Sequence, residues 1–228
     1  MGASDPEYLS LQLRLQSSML EKPTLSMSDF SRPATSDRLQ KVASALEQRG
    51  FEAHIARDRD HARDLVLGMI PDGAEVHVAL SETMAELGIT DAIQGSGHYD
   101  AVRPRAMKLD RVKQNSEYRK LLGAPDYVLG SVHAVTEDGI LVVGSGSGSQ
   151  LGPYAAGSGR VILAVGAQKI VGDLAEGLQR VREHSLPLED ARMKAAGYPG
   201  SRLSKILIME FERPGRVTVV LIPDLIGF

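Results

Sequence analysis

Cysteine is absent from the 228 residues. That single gap excludes disulfides, thiolate zinc sites, iron–sulfur ligation and a cysteine nucleophile together, so redox chemistry would need a borrowed cofactor. A basic excess is missing as well: 26 Lys and Arg stand against 29 Asp and Glu, for a net charge of -3. Such a chain has nothing with which to hold a nucleic-acid backbone. No apolar run approaches the roughly 20 residues that span a bilayer. The first residues lack a basic start followed by an apolar block, and Pro6 stands where a myristoylation pattern needs Ser or Thr. The expectation is a cytoplasmic protein without a nucleic-acid or membrane partner. The six histidines are scattered, with no helical pair near a carboxylate, so no structural metal is expected.

What is present describes an ordinary globular α/β protein. The length suits one well-buried domain, assigned to residues 36–228, preceded by an N-terminal arm, residues 1–35. The arm is rich in Ser, Gln, Met and Leu. Its one periodic part, Tyr8 to Leu20, reads either as a helix docked on a surface or as a frayed extension. From Thr35 onward, helix and strand patterns alternate. Ser36 opens a helix whose face carries Leu39, Val42, Ala43 and Leu46, and Phe51 to Ala56 reads as a strand. A helix from Asp60 to Met69 leads to a second strand, Glu75 to Leu80. Ser81-Glu82-Thr83 then reads as a capped helix start, a strand-to-helix turn carrying hydroxyls. Gly95 to Asp110 has no clear period and reads as a lid, an active-site loop or a solvated surface. Helices are expected over residues 111–122 and 172–184. Two terminal strands, Ile206 to Phe211 and Val217 to Ile222, carry a hairpin signal between them. The fold class is therefore α/β, an open and mostly parallel sheet with helices on both faces, mixed at one edge.

Residues 126–171 suggest a site as well as a fold. Two apolar runs, Tyr127 to Val132 and Ile140 to Val143, flank a polar turn, Thr136-Glu137-Asp138-Gly139. A glycine-serine loop follows, Gly144-Ser145-Gly146-Ser147-Gly148-Ser149-Gln150, and then a third apolar run, Val161 to Val165, with Lys169 just beyond it. Such a loop inside a domain either cradles an anion with its backbone amides or serves close packing alone. With Ser149 as N-cap and Pro153 in the first turn, a short helix would aim its N-terminus at the same concavity. His133 reads as a hydrogen-bonded structural histidine or as a base, and Glu137 as a solvated turn residue or the carboxylate that orients it. Lys169 faces either a ligand anion or a salt bridge. Strands of a parallel sheet share one carboxyl edge, which would bring Ser81, Thr83, His133, the 144–150 loop and Lys169 together.

Several segments carry a family resemblance: EVHVALSETMAELGITDA from Glu75, the block from Asp126 to Val171, and the end of the chain from Lys205. On these the chain resembles the lactate-utilisation (LUD, LutC-like) domain family. The resemblance implies a NagB/RpiA/CoA transferase-like α/β fold, similar to those of sugar-phosphate isomerases, CoA transferases and formyltetrahydrofolate cyclo-ligase. In that wider group a Gly-Ala-Asp sequence before the turn often supplies an active-site carboxylate; His133 stands in its place here, which argues against an isomerase mechanism. Longer members of the family carry an iron–sulfur extension that this chain lacks, so a role in lactate oxidation would be that of a subunit that carries no electrons.

These readings combine into one expectation about function. The chain binds a small anionic metabolite, a short carboxylate or a phosphorylated compound, and whether it is also an enzyme stays open. Ser81, Thr83, Gly144, Ser145, Gly146, Ser147, Gly148, Ser149, Gln150 and Lys169 are the ligand residues, His133 and Glu137 the catalytic candidates. The cofactor is unknown, with no iron–sulfur cluster. The alternative is an accessory subunit that binds a partner oxidoreductase, or a homodimer, through the arm. Because backbone amides hold an anion at any pH, the 144–150 loop is expected to dominate affinity over His133.

Overall fold

The computed structural model describes residues 29–228. The Tyr8 to Leu20 helix and most of the arm lie outside the described residues. The arm's last residues bind the body: Phe30 packs on the cluster of Ala134, Val142 and Val181, and Ala34 N–H donates to Ala167 O at 3.1 Å. Helix α1 spans Ser36–Gln48 and buries Leu39, Val42 and Leu46. Its cap is Thr35, one residue before the Ser36 expected, and the Thr35 hydroxyl accepts from Arg38 N–H.

Six parallel strands form the main sheet: β1 (Glu52–Ile55), β2 (Glu75–Val78), β3 (Asp100–Ala101), β4 (Tyr127–Gly130), β7 (Arg160–Gly166) and β10 (Val217–Ile222). Their spatial order is β1-β10-β7-β4-β2-β3. Helices α2 (Arg59–Gly68), α3 (Glu82–Glu86) and α4 (Ile89–Gly95) cover one face, where Val66, Met84 and Ile93 meet Val78, Leu129, Ile162 and Val220. Helix α1 packs on the other face against Val128, Val161, Leu163 and Leu221. Residues alternate between the two cores because successive strand side chains point to opposite faces. Both faces are apolar because crossovers cover both. Burying each large apolar side chain here stabilises the fold by about 1.5–3 kcal/mol.

A second sheet of four strands has the order β8-β5-β6-β9. It contains β5 (Ala134–Thr136), β6 (Leu141–Ser145), β8 (Ile170–Val171) and β9 (Lys205–Met209). Antiparallel pairing belongs to this sheet, in β5 with β6 and β6 with β9. The terminal hairpin is not formed. β9 joins β6, whereas β10 enters the centre of the main sheet, parallel to β1 and β7. The reason lies in the residues: β10 is buried at all six positions, as a central parallel strand must be, while β9 is buried only at Met209.

Two neighbouring strands leave the large sheet for the small one. β4 ends at Gly130, and after Ser131-Val132-His133 the chain continues as β5; β7 ends at Gly166, and after the 3₁₀ turn Ala167–Lys169 it continues as β8. The apolar run through Tyr127 to Val132 therefore feeds two sheets. Residues 95–110 are not a structureless lid. They contain β3 and helix α5 (Val102–Ala106), anchored by buried Val102 and Ala106. Helix α6 (Asn115–Gly123) follows. Helix α7 (Leu174–Arg180) is capped by Asp173, whose carboxylate accepts from Glu176 N–H at 2.8 Å. A π-helical turn, Val181–Ser185, then joins α7 to α8 (Leu186–Ala195). Among the described residues, no helix is long and apolar enough to cross a membrane.

Candidate functional site

A cavity of about 850 Å³ opens where the two strands change sheets, at the carboxyl edge of the parallel sheet. The end of β2 contributes His77 and Ser81, α3 contributes Thr83, and the β4–β5 crossing contributes Ser131 and His133. Lys169 comes from the β7–β8 crossing, and Gly144 to Ser147, Ser149 and Gln150 from the end of β6 and its loop. Arg103, Arg111, Arg192 and Arg202 complete a largely cationic wall, in which Glu82 and Glu189 are the acidic members. This is the edge at which open α/β sheets hold their ligands.

Lys169 is 2% exposed. Its Nζ donates to Thr83 Oγ1 at 3.0 Å and to Ser131 Oγ at 3.1 Å. Ser131 Oγ in turn donates to Ala164 O at 2.6 Å, so its lone pairs are what the amine meets. Among the described residues no carboxylate forms an ion pair with Lys169, which removes the salt-bridge reading. Burial lowers its pKa to about 7, Arg180 pushes in the same direction and Glu86 opposes.

Arg180 is fully buried behind this cluster. Its guanidinium donates to Gln168 O, His133 O and Ser185 Oγ, while Nη2 has no partner among the described residues. His133 accepts from Gly144 N–H at Nδ1 (3.1 Å), which fixes the neutral tautomer with its proton on Nε2. Burial, then Lys169, then Arg180 lower the His133 pKa to about 3. The imidazole is therefore neutral at physiological pH and presents a donor to the cavity. It is not poised as a base. His77, 3% exposed, is held down to about 4 by burial and by Arg103, and its buried Nδ1 has no partner among the described residues. His77 thus lines the site although it is outside the set of site residues expected from sequence.

The glycine-serine loop mostly satisfies itself. Ser145 Oγ accepts from Gly148 N–H at 2.8 Å and donates to Gln150 Oε1 at 3.0 Å; Ser149 N–H donates to Ser147 Oγ at 3.2 Å. With Gly144 N–H on His133, three of the amides expected to cradle an anion are already occupied. Gly148 is turned away. It holds φ +85°, so the left-handed backbone is what calls for glycine there, the nearest atoms to a Cβ belonging to the flexible Lys205 stem. The expected short helix after the loop forms, α-helical at Leu151 and Gly152 and π-helical over Pro153–Gly157, but Ser149 does not cap it, since its hydroxyl meets Ser147 instead. Ser81 lines the cavity while capping α3, accepting from Met84 N–H.

Glu137 is not placed to orient His133. It lies four residues along an extended strand and turn, about 13 Å of chain at 3.3 Å per residue. It pairs with Arg38 (2.7 Å) and Lys41 (2.5 Å) on α1. Those two cations hold its carboxyl below the usual range. Ser131, Arg103, Arg111, Arg202 and Tyr154 are site residues that pattern reasoning missed. Ser131 had a legible signal, a polar residue interrupting the apolar run YVLGSVHAV. Arg103 lies in the 95–110 segment, which reads in sequence as a lid, an active-site loop or a solvated surface, and it lines the cavity; Arg111 and Arg202 had no signal, because they arrive from the approach to α6 and from the segment before β9.

The family model described as LUD domain matches residues 39–222. The chain belongs to the LUD domain family. Among solved structures, this LUD-domain chain is similar to a DUF162 family protein from Deinococcus radiodurans, at 14% identity and a TM-score of 0.47, over 83% of this chain and 99% of that one. It is also similar to eIF2B beta from Chaetomium thermophilum, at 16% identity and a TM-score of 0.35, over 63% of this chain and 46% of that one. A search of curated proteins finds no match.

Proposed function

We propose that this LUD-domain protein binds a phosphorylated small metabolite in the cavity at the sheet crossing. The observation that carries the reading is the buried Lys169 ammonium, with no carboxylate ion pair among the described residues, at the base of a cavity wall supplied with arginines. A buried charge without a counter-ion is costly, and a ligand anion would supply one. Arg103, Arg111 and Arg202 likewise form no ion pair among the described residues, whereas Arg192 is neutralised by Glu82 and Glu189. Several cations around about 850 Å³ suit a ligand larger than lactate or pyruvate and more highly charged. Each charge-assisted hydrogen bond to it contributes about 1.5–3 kcal/mol.

Isothermal titration at pH 7 with inorganic phosphate, fructose 6-phosphate, AMP, lactate and pyruvate tests this reading. A phosphorylated compound is expected to bind at least ten times more tightly than lactate, and Lys169→Met to weaken that binding about tenfold or more. Lactate or pyruvate binding as tightly as every phosphorylated compound, or no binding by any of them, would overturn it.

A further inference from the structure

Lys169 stands apart from the other described lysines. Lys41, Lys108, Lys113, Lys120, Lys194 and Lys205 are all exposed, whereas Lys169 is buried and its amine meets the cavity. A lysine that serves only as an anion's counter-charge gains nothing from surroundings that discourage protonation. These surroundings do discourage it.

The groups facing the amine come from four elements. Arg180 on α7 is a second buried cation. Glu86 on α3 opposes it but forms its ion pair with Arg59. Thr83 and Ser131 offer hydroxyls, and His133 on the β4–β5 crossing is neutral. On the remaining side is the backbone of Gly227, where a Cβ would lie 3.2 Å from Nζ. A desolvated amine beside another cation is the arrangement that makes a lysine nucleophilic at neutral pH. The depressed pKa, about 7, agrees with the geometry.

We propose that Lys169 is a nucleophile that captures the carbonyl carbon of the bound metabolite as an imine, which makes that metabolite a phosphorylated aldehyde or ketone. The inference rests on the anion-binding reading above and adds the reacting group. The neutral amine's lone pair forms the C–N bond while the carbonyl π pair moves to oxygen. A proton leaves nitrogen for that oxygen, with the Thr83 hydroxyl, hydrogen-bonded to Nζ, in place to relay it, while Ser131, whose own proton is held by Ala164 O, only accepts from the amine. The carbinolamine then loses a second nitrogen proton and its hydroxyl as water, and C=N forms. The oxygen departs toward the cavity, where His133 Nε2–H is the fixed donor; its Nδ1 is filled by Gly144 N–H. No oxidant or reductant enters the step.

Reductive trapping tests the proposal. The wild-type protein is incubated at pH 7 with glyceraldehyde 3-phosphate and sodium cyanoborohydride, then digested and mapped by mass. The adduct is expected on Lys169 at least ten times faster than on exposed Lys41, Lys113 or Lys194, and inorganic phosphate is expected to slow Lys169 alone. Lys169→Arg, which keeps the charge, should remove the fast adduct while phosphate still raises the melting temperature. If Lys169 is labelled no faster than the exposed lysines while phosphate or glyceraldehyde 3-phosphate still raises the melting temperature, the imine is wrong and the binding reading stands. Absence of both the selective adduct and the thermal shift overturns the two together.

Discussion

Lys169 concentrates the conflict between stability and function in one side chain. An ammonium held by two hydroxyls and no carboxylate costs more to bury than an apolar chain of similar length. Thr83 and Ser131 are not stranded by its removal, because Ser131 Oγ retains Ala164 O. Lys169→Met is therefore expected to stabilise the ligand-free protein by on the order of 1 kcal/mol, about 2–4 °C in melting temperature for a chain of this size. A scan of the two purified proteins at pH 7 checks this; a lower melting temperature for the variant would show that the ammonium is satisfied by the protein itself. In sequence, Lys169 was legible as a cation past a strand end. Its burial was not, since that depends on Thr83 and Ser131, 86 and 38 residues away.

Among the elements, the paired crossings of β4 and β7 create the site, and they require close approach. At Gly130, the last residue of β4, a Cβ would lie 1.6 Å from the Tyr154 hydroxyl and 2.9 Å from Tyr154 Cζ. Gly130→Ala should cost about 1–3 kcal/mol by overpacking. Adding Tyr154→Phe, which removes the offending oxygen, should recover part of that loss. Urea unfolding of the wild type, both single variants and the double variant closes the cycle, and strictly additive effects would refute the idea that Tyr154 is what excludes a side chain at Gly130. The crossings also explain which elements were legible. Hydrophobic periodicity locates α1, α2, β2 and β7 to within a few residues, because local pattern and burial agree there. It reads Tyr127 to Val132 as one strand and joins β9 to β10 as a hairpin, because periodicity says where a strand is and not which sheet it enters. Glu137 was misplaced for the same reason: its hairpin belongs to the second sheet and turns toward Arg38 and Lys41 on α1.

The whole molecule should carry an unusual dependence of stability on pH, because several buried groups shift in one direction. His133 and His77 are held at about 3 and about 4 instead of 6.5, and Lys169 at about 7 instead of 10.5. Between each folded value and its ordinary value the unfolded chain binds a proton that the native protein does not, so stability rises with pH across both windows. For the histidines it is lost as pH falls below 6.5, at no more than about 1.4 kcal/mol per pH unit for each group. The carboxyls of Glu137 and Glu212, held low by their cationic partners, add a loss of the same sign on the acid side. For Lys169 the gain runs from about 7 upward toward 10.5. Tyr154 sets the limit, since burial raises its phenol above 10 and the unfolded chain alone ionises beyond that point. The stability maximum is thus expected near pH 9–10, on the alkaline side of the usual range of about 5–8. Urea midpoints measured from pH 5 to 10 should rise throughout; Lys169→Met should abolish the rise above pH 7 and leave the acid limb intact, while His133→Gln should make the acid limb shallower without touching the rise above pH 7, His77 and the two carboxyls keeping the remainder. A midpoint that falls between pH 7 and 9 in the wild type would mean that the Lys169 amine is stabilised as a cation in the folded protein, and with it the neutral nucleophile would be lost.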